Sequence, residues 1–263
     1  MKVSVIVPAW GRTPHLDEAL ASIRAQTYPD VELVVAAPPA DGPQTLPAAR
    51  QEGLARATGE LVTFCDADDW MDREAVEQMV GSMTDDVDMV CCGLIRERAD
   101  GSRVVRPFDR EGPSDTYNAL VNKLFRRRVL TGLEVDAAVG LGEDLMVTAQ
   151  ALAKARGIAV VDAAFYHYRE NPQSMTHRQA GRQRVQDLAH VGALLRKAMP
   201  DSRYDDFHDR VTRDAMLLWI RHRVGDRGLW RELRGRLKGG LFADPRHGLL
   251  KKGALFCASC LFD

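Results

Sequence analysis

Val3 to Val7 is an apolar run broken only by Ser4, the pattern of a strand covered on both faces. Leu16, Ala19, Leu20 and Ile23 then recur at i, i+3, i+4 and i+7, which predicts a helix with one buried stripe. Thr13 is placed to cap it, with Pro14 at its first position and Asp17 and Glu18 at its positive end. Tyr28-Pro29-Asp30 breaks the pattern, and Val31 to Val35 supplies a second strand. A helix follows over Leu46 to Ala57, with Gly59 as its C-terminal stop. Leu61 to Cys65 reads as a third strand, Asp72 to Met83 as a helix and Val87 to Cys92 as a fourth strand. This alternation predicts an α/β domain with a mostly parallel sheet and right-handed crossovers.

Beyond residue 92 the rhythm changes. Asp100-Gly101 suits a tight turn, so Leu94 to Val105 reads as a hairpin. Asp115 to Leu120 reads as a short helix, Asn122 to Phe125 as a strand, Glu143 to Ala155 as a helix and Ile158 to Val161 as a strand. From about Gln179 the pattern is wholly helical, with Leu188, Val191, Leu194 and Leu195 in one stripe. A boundary near residue 178 would therefore separate a sheet domain, 1–178, from a helical extension, 179–263.

A net charge of -1 gives no general pull toward nucleic acid, but charge is unevenly placed. Ten cations between Arg221 and Lys252 face only Asp226, Glu232 and Asp244. Together with the pairs Leu255-Phe256 and Leu261-Phe262 they suggest peripheral contact with an anionic membrane, or equally a dimer or partner interface. The five cysteines form no disulfide framework, and the Cys257–Cys260 spacing has no second pair or nearby histidine to make a zinc site. No run of eighteen apolar residues occurs, and the amino terminus enters a strand pattern directly, so a cytoplasmic location is expected.

Candidate chemistry concentrates at Phe64-Cys65-Asp66-Ala67-Asp68-Asp69-Trp70, at the carboxyl end of the third strand, where open α/β sheets bind ligands. Carboxylates this close repel unless a cation or hydrogen-bond donors neutralise them. On an extended backbone Asp66 and Asp68 would face one side, as a Mg²⁺ or Mn²⁺ site for a diphosphate requires. The plainer alternative is an acidic turn capping the next helix.

The motif set resembles a family 2 glycosyltransferase of the GT-A fold, a three-layer α/β/α sandwich, over Val3 to about His177. The matching pieces are Val5-Ile6-Val7-Pro8, Ala49-Arg50-Gln51-Glu52-Gly53, Ala57-Thr58-Gly59-Glu60, the Asp66–Asp69 segment, Gly142-Glu143-Asp144, Tyr166-His167-Tyr168-Arg169 and Ser174-Met175-Thr176-His177. The resemblance implies a metal-dependent, inverting transfer of a sugar from a nucleoside diphosphate to an acceptor hydroxyl, in glycan or cell-surface polysaccharide synthesis. It implies Mn²⁺ or Mg²⁺ on Asp66 and Asp68, with His177 as a further ligand or phosphate contact. Asp144 becomes the catalytic base, at a helix amino terminus that suits a carboxylate, and Glu143 and Lys123 become acceptor contacts. Pro8, Trp10, Arg50, Asp66, Ala67 and Arg169 fall on the donor side. The partners expected are a nucleotide-sugar donor and a glycan or lipid-linked acceptor. Trp10 and His177 also read as ordinary surface or rim residues, and Glu143-Asp144 as helix-start charges. The second strand ends Val35-Ala36-Ala37-Pro38-Pro39-Ala40-Asp41, without the Asp-Asp-Gly-Ser common in the family, so no strand-end carboxylate is available there to read a nucleobase. A catalytically silent, scaffold-type relative is the alternative.

Overall fold

The computed structural model describes residues 1–9, 14–109, 118–137, 139–170, 181–239, 241, 251, 252, 254, 255, 258 and 259. Thr13, Trp10 and His177, most of the short helix predicted at 115–120, Cys257, Cys260, Phe256, Leu261 and Phe262 lie outside these residues. Two compact units are present, one comprising 1–138 and 143–172, the other 139–142 and 173–263.

The first unit is built on an eight-stranded sheet. Its strands are β1 (Val3–Pro8), β2 (Val31–Ala36), β3 (Leu61–Phe64), β4 (Trp70–Met71), β5 (Met89–Glu97), β6 (Arg103–Arg106), β7 (Lys123–Arg126) and β8 (Ile158–Arg169). They run in the order β2-β1-β3-β7-β5-β8-β4, with β6 on β5. The helices are α1 (Leu16–Arg24), α2 (Leu46–Arg56), α3 (Ala75–Gly81), the single turn α4 (Arg127–Leu130) and α5 (Glu143–Lys154).

The sheet is mixed, which corrects the expectation of a mostly parallel one. β1 pairs parallel with β2 and β3, and β5 with β8, but β7 enters antiparallel between β3 and β5. Antiparallel β6 and the short β4 complete it, and the predicted turn is present, with Gly101 at φ +80°. α1 begins at Leu16 without a side-chain cap, later than Pro14, and α3 is confined to Ala75–Gly81.

All six residues of β1 are buried, and Ile6, Leu61, Met89, Leu124 and Phe125 lie in the core around it. Ser4 is the polar exception: its hydroxyl donates to Glu32 Oε2 at 2.5 Å and accepts from Gly59 N at 2.8 Å. Burial works against the charge on Glu32, but donors from Ser4, Thr58 and Lys2 outweigh it and bring the carboxyl down to about 2. α2 ends at Ala57 by returning to extended backbone, so Gly59 is not the helix stop that its position suggested. It is needed for close approach instead, because a Cβ there would lie 2.7 Å from Lys2 O, Ser4 N and Ser4 Oγ. Gly59→Ala is therefore expected to destabilise the first unit by about 1–3 kcal/mol, the usual penalty of overpacking, read as a lower urea midpoint at unchanged slope.

The second unit contains α6 (Gly181–Ala198), α7 (Asp205–Arg221) and α8 (Arg227–Arg236). Its core gathers Val185, Met216, Trp219, Trp230 and Leu233, with the two indoles 5.1 Å apart. Asp226 caps α8 by accepting from Leu229 N at 3.0 Å, and its carboxylate also holds Arg182 at 2.7 Å. Leu255, read from sequence as a membrane-facing residue, is wholly buried in this core. Among the described residues no helix is long and apolar enough to cross a membrane.

Candidate functional site

The site forms where the carboxyl end of β3, the buried face of α2 and the amino end of α5 meet. Thr45 caps α2 by accepting from Ala48 N at 3.3 Å, and Pro47 stands in its first turn. Small residues on the inner face bring the helix close to β1: a Cβ on Gly53 would come within 2.4 Å of Ile6 Cγ2. The same face carries Arg50, which is only 5% exposed.

Arg50 ties three elements together. Its Nη2 donates to Asp66 Oδ1 at 2.7 Å, and its Nη1 donates to Glu143 Oε2 at 2.7 Å and Oε1 at 2.9 Å. Nη1 also makes a short contact with Asp144 Oδ1. The three acids lie 16, 93 and 94 positions away in sequence. Burial works against the guanidinium's charge, but Asp144, Asp66 and Glu143 together hold its pKa well above the ordinary value. One cation does not neutralise three acids. Burial, opposed by Arg50, raises the carboxyl pKa of both Asp66 and Glu143, and the Asp144 charge pushes each further the same way.

The Asp66–Asp69 segment is a turn, closed by Asp69 N donating to Asp66 O at 3.1 Å, not the extended run that would put Asp66 and Asp68 on one side. Each acid has a separate environment. Asp66 faces Arg50. Asp69, 2% exposed, accepts from Tyr166 Oη at 2.7 Å and from Arg169 N at 2.8 Å, while Asp66 N donates to the Tyr166 hydroxyl at 3.0 Å. Burial, then the charges of Asp66 and Asp68, pushes the Asp69 carboxyl well up. Asp68 is half-buried, and among the described residues its carboxylate has no hydrogen bond or ion pair. Arg169 closes the turn from outside: its Nε donates to Asp68 O at 2.9 Å, and its guanidinium lies 4.7 Å from the centre of the Trp70 ring.

Three carboxyl groups, on Asp66, Glu143 and Asp144, thus share Arg50, while Asp69 is held by the backbone N–H of Arg169, whose guanidinium goes to Asp68 O and, at 2.6 Å, to Glu18. Among the described residues no group of three or more His, Cys, Asp or Glu side chains is arranged to hold a metal ion by itself.

Of the residues singled out from sequence, Arg50, Asp66, Glu143 and Asp144 come together directly. Ala67, Asp68 and Arg169 belong to the adjoining turn, and Pro8 ends β1 beside it, where Cys65 N donates to Ile6 O at 2.9 Å. Lys123 does not join them. It is fully buried, its ammonium donates to Ala119 O and to Asn122 Oδ1 at 2.8 Å, and burial lowers its pKa to about 8. The acceptor-side role read for it has no exposed group to act through. Asp69 and Tyr166 were missed as site-forming residues, although the motif Tyr166-His167-Tyr168-Arg169 contained the signal.

The fold and this acid-rich strand end define the class: a GT-A glycosyltransferase fold. Staphylococcus aureus TarS, solved in complex with UDP-GlcNAc, superposes with a TM-score of 0.62 at 18% identity over 84% of this chain and 73% of that one. Mycobacterium tuberculosis glucosyl-3-phosphoglycerate synthase, solved with Mn²⁺, UDP and phosphoglyceric acid, gives a TM-score of 0.50 at 16% identity over 76% of this chain and 80% of that one. In sequence, the profile described as Glycosyl transferase family 2 matches residues 41–138. EpsH of Bacillus subtilis (strain 168), a protein named as a glycosyltransferase, is 25% identical, the match covering 67% of this chain and 63% of that protein. GlyA of Streptococcus pneumoniae serotype 4 is 33% identical over 30% of this chain and 14% of that protein. The chain matches the family 2 profile over residues 41–138 and is GT-A in fold, as its motifs indicated, and its match spans somewhat less than two thirds of EpsH.

Proposed function

We propose that the protein transfers a sugar from a nucleoside diphosphate sugar to an acceptor hydroxyl, with inversion at the anomeric carbon. The observation that carries this reading is the excess of acid over base around Arg50, beside an Asp68 carboxylate with no partner among the described residues. Such a site suits a divalent cation bound jointly with diphosphate oxygens. Asp68 would hold Mg²⁺ or Mn²⁺ together with diphosphate oxygens, and the ion would supply charge neutralisation for the departing diphosphate. The Mn²⁺ and UDP bound by the mycobacterial neighbour and the UDP-GlcNAc bound by TarS support the same choice of ligands.

Asp144 then acts as base. Its side chain is about a third exposed, at 34%, with Oδ1 held by Arg50. The acceptor O–H proton passes to this carboxylate as the acceptor oxygen bonds to the anomeric carbon. The bond from that carbon to the diphosphate oxygen breaks, and its electron pair leaves with the nucleoside diphosphate. Asp69, Tyr166 and Arg169 fix the turn that presents Asp66 and Asp68. Extracellular or cell-wall polysaccharide precursors, reached at the membrane surface, are the acceptors this reading favours, with a role for the basic helices in that contact.

Nucleotide binding tests the site directly. UDP, GDP and dTDP are titrated into the protein with and without Mn²⁺ while thermal unfolding is followed. The expected result is a stabilisation of about 2.7 kcal/mol at a hundredfold excess over Kd, present only with the cation and at least tenfold weaker in apparent affinity for Asp68→Ala. Equal shifts without metal, or an unaffected Asp68→Ala protein, would overturn the assignment.

A further inference from the structure

Beside the clamp, α2, α4 and α5 border an open cleft of about 560 Å³, well within the size of small-molecule sites. Leu54, Leu130, Leu133 and Val147 supply apolar walls, and Phe64 and Leu120 line it as well.

Three charged residues line it, beside the uncharged Gln51 and Thr131. Arg50 and Glu143, already bonded to each other, line it near the Asp66 end of β3. Arg127 lines it nearer the start of that strand, where its Nε donates to Gly59 O at 2.8 Å. Among the described residues, Arg50 Nε and Arg127 Nη2 are both shielded from water without a hydrogen-bond acceptor. A donor left in that condition costs about 1–3 kcal/mol. An oxygen in the cleft would relieve the cost only if the guanidinium turned to meet it, since water reaches neither atom. At the Arg50 end that oxygen must be uncharged, because three carboxylates already surround the guanidinium.

We propose that this cleft is a binding site for an aliphatic chain bearing uncharged oxygen, the apolar part of an alkyl or acyl glycoside or a similar amphiphile. The chain lies along Leu54, Leu133 and Val147, and its oxygen-bearing end meets Arg50 and Glu143. Because Arg50 also holds Asp144, occupancy of the cleft is sensed at the base. This coupling rests on the transferase reading; the binding itself does not.

Calorimetric titration of hexyl and octyl β-glucoside, each below its micelle concentration, tests the site. Two added methylenes should tighten binding about tenfold, at roughly 0.8 kcal/mol per buried CH₂. Leu54→Trp and Val147→Phe, which fill the cleft from opposite walls, should each weaken octyl glucoside at least tenfold with no loss of thermal stability; if one variant fails to fold, the other decides. Absence of binding, affinity independent of chain length, or filled variants that bind like the wild type would overturn the proposal. With nucleotide-sugar and Mn²⁺ present, glycosylation of the octyl glucoside identifies the chain as the acceptor's own tail. A changed rate of transfer to a second acceptor, without that product, identifies a separate lipid effector. Chain-length-dependent binding without turnover of any donor would leave the cleft standing and reject the transferase reading.

Discussion

Asp144→Asn is expected to lower sugar transfer by about 10²–10⁴-fold while leaving the fold and donor affinity near those of the wild type. The asparagine side chain has the same shape, and its carbonyl oxygen still accepts from Arg50 Nη1 in place of the Asp144 carboxylate. What it loses is the capacity to take a proton. The measurement is turnover with saturating nucleotide-sugar and Mn²⁺, together with nucleotide affinity by calorimetry. A fall confined to turnover marks a group that acts on the reacting hydroxyl. If instead donor binding weakened in parallel, Asp144 would belong to the donor site. Unchanged turnover would remove it from the chemistry. Glu143→Gln separates the neighbour from the base: Glu143 is buried and bonded to Arg50 through both oxygens, so its replacement should act through the position of Arg50, with a much smaller loss.

The elements that position this site were partly legible in the sequence, because local pattern encodes them. The pattern over Leu46 to Ala57 announced α2, and Gly142-Glu143-Asp144 announced the start of α5. Strand direction was not legible. β7 has the same apolar character whether it runs with or against its neighbours, and only its pairing with β3 and β5 shows that it opposes both. β8 continues to Arg169, although Asp162, Ala163 and Ala164 interrupt the apolar run that suggested an end at Val161. The register shifts beside Gly93 accommodate that irregular stretch, where a Cβ on Gly93 would lie 2.6 Å from Arg106 O. The Asp66–Asp69 segment shows the same limit. Spacing counted the acids correctly, but their separate partners, Arg50 for Asp66 and Tyr166 with Arg169 for Asp69, come from residues between 16 and 100 positions away.

Arg50→Met should be the most destabilising single change at the site. Removing one partner of a buried ionic network typically costs about 3–5 kcal/mol, because the opposite charges remain without compensation. Here the survivors are Asp66, just after β3, and Glu143 and Asp144 on α5, so loss of the guanidinium turns their attraction to a common centre into mutual repulsion. A melting temperature lower by on the order of 10 °C follows. The effect should depend on pH in a definite sense. Burial already raises the Asp66 and Glu143 pKa values in the folded protein above their ordinary 3.8 and 4.5. Groups raised in this way bind protons more tightly when folded, so stability falls as pH climbs from those ordinary values through the folded ones. Taking away Arg50 raises the folded values further, and the deficit of Arg50→Met against wild type should therefore be larger at pH 8 than at pH 5. Arg50→Lys keeps the charge but, as a single ammonium, cannot span β3 and α5 as the planar fork does, so it should recover part of the stability and little of the turnover. A deficit that shrank toward pH 8, or an Arg50→Met protein melting within a degree of wild type, would show that the three acids do not depend on this arginine, and with that the link between the strand-end turn and the proposed base would be lost.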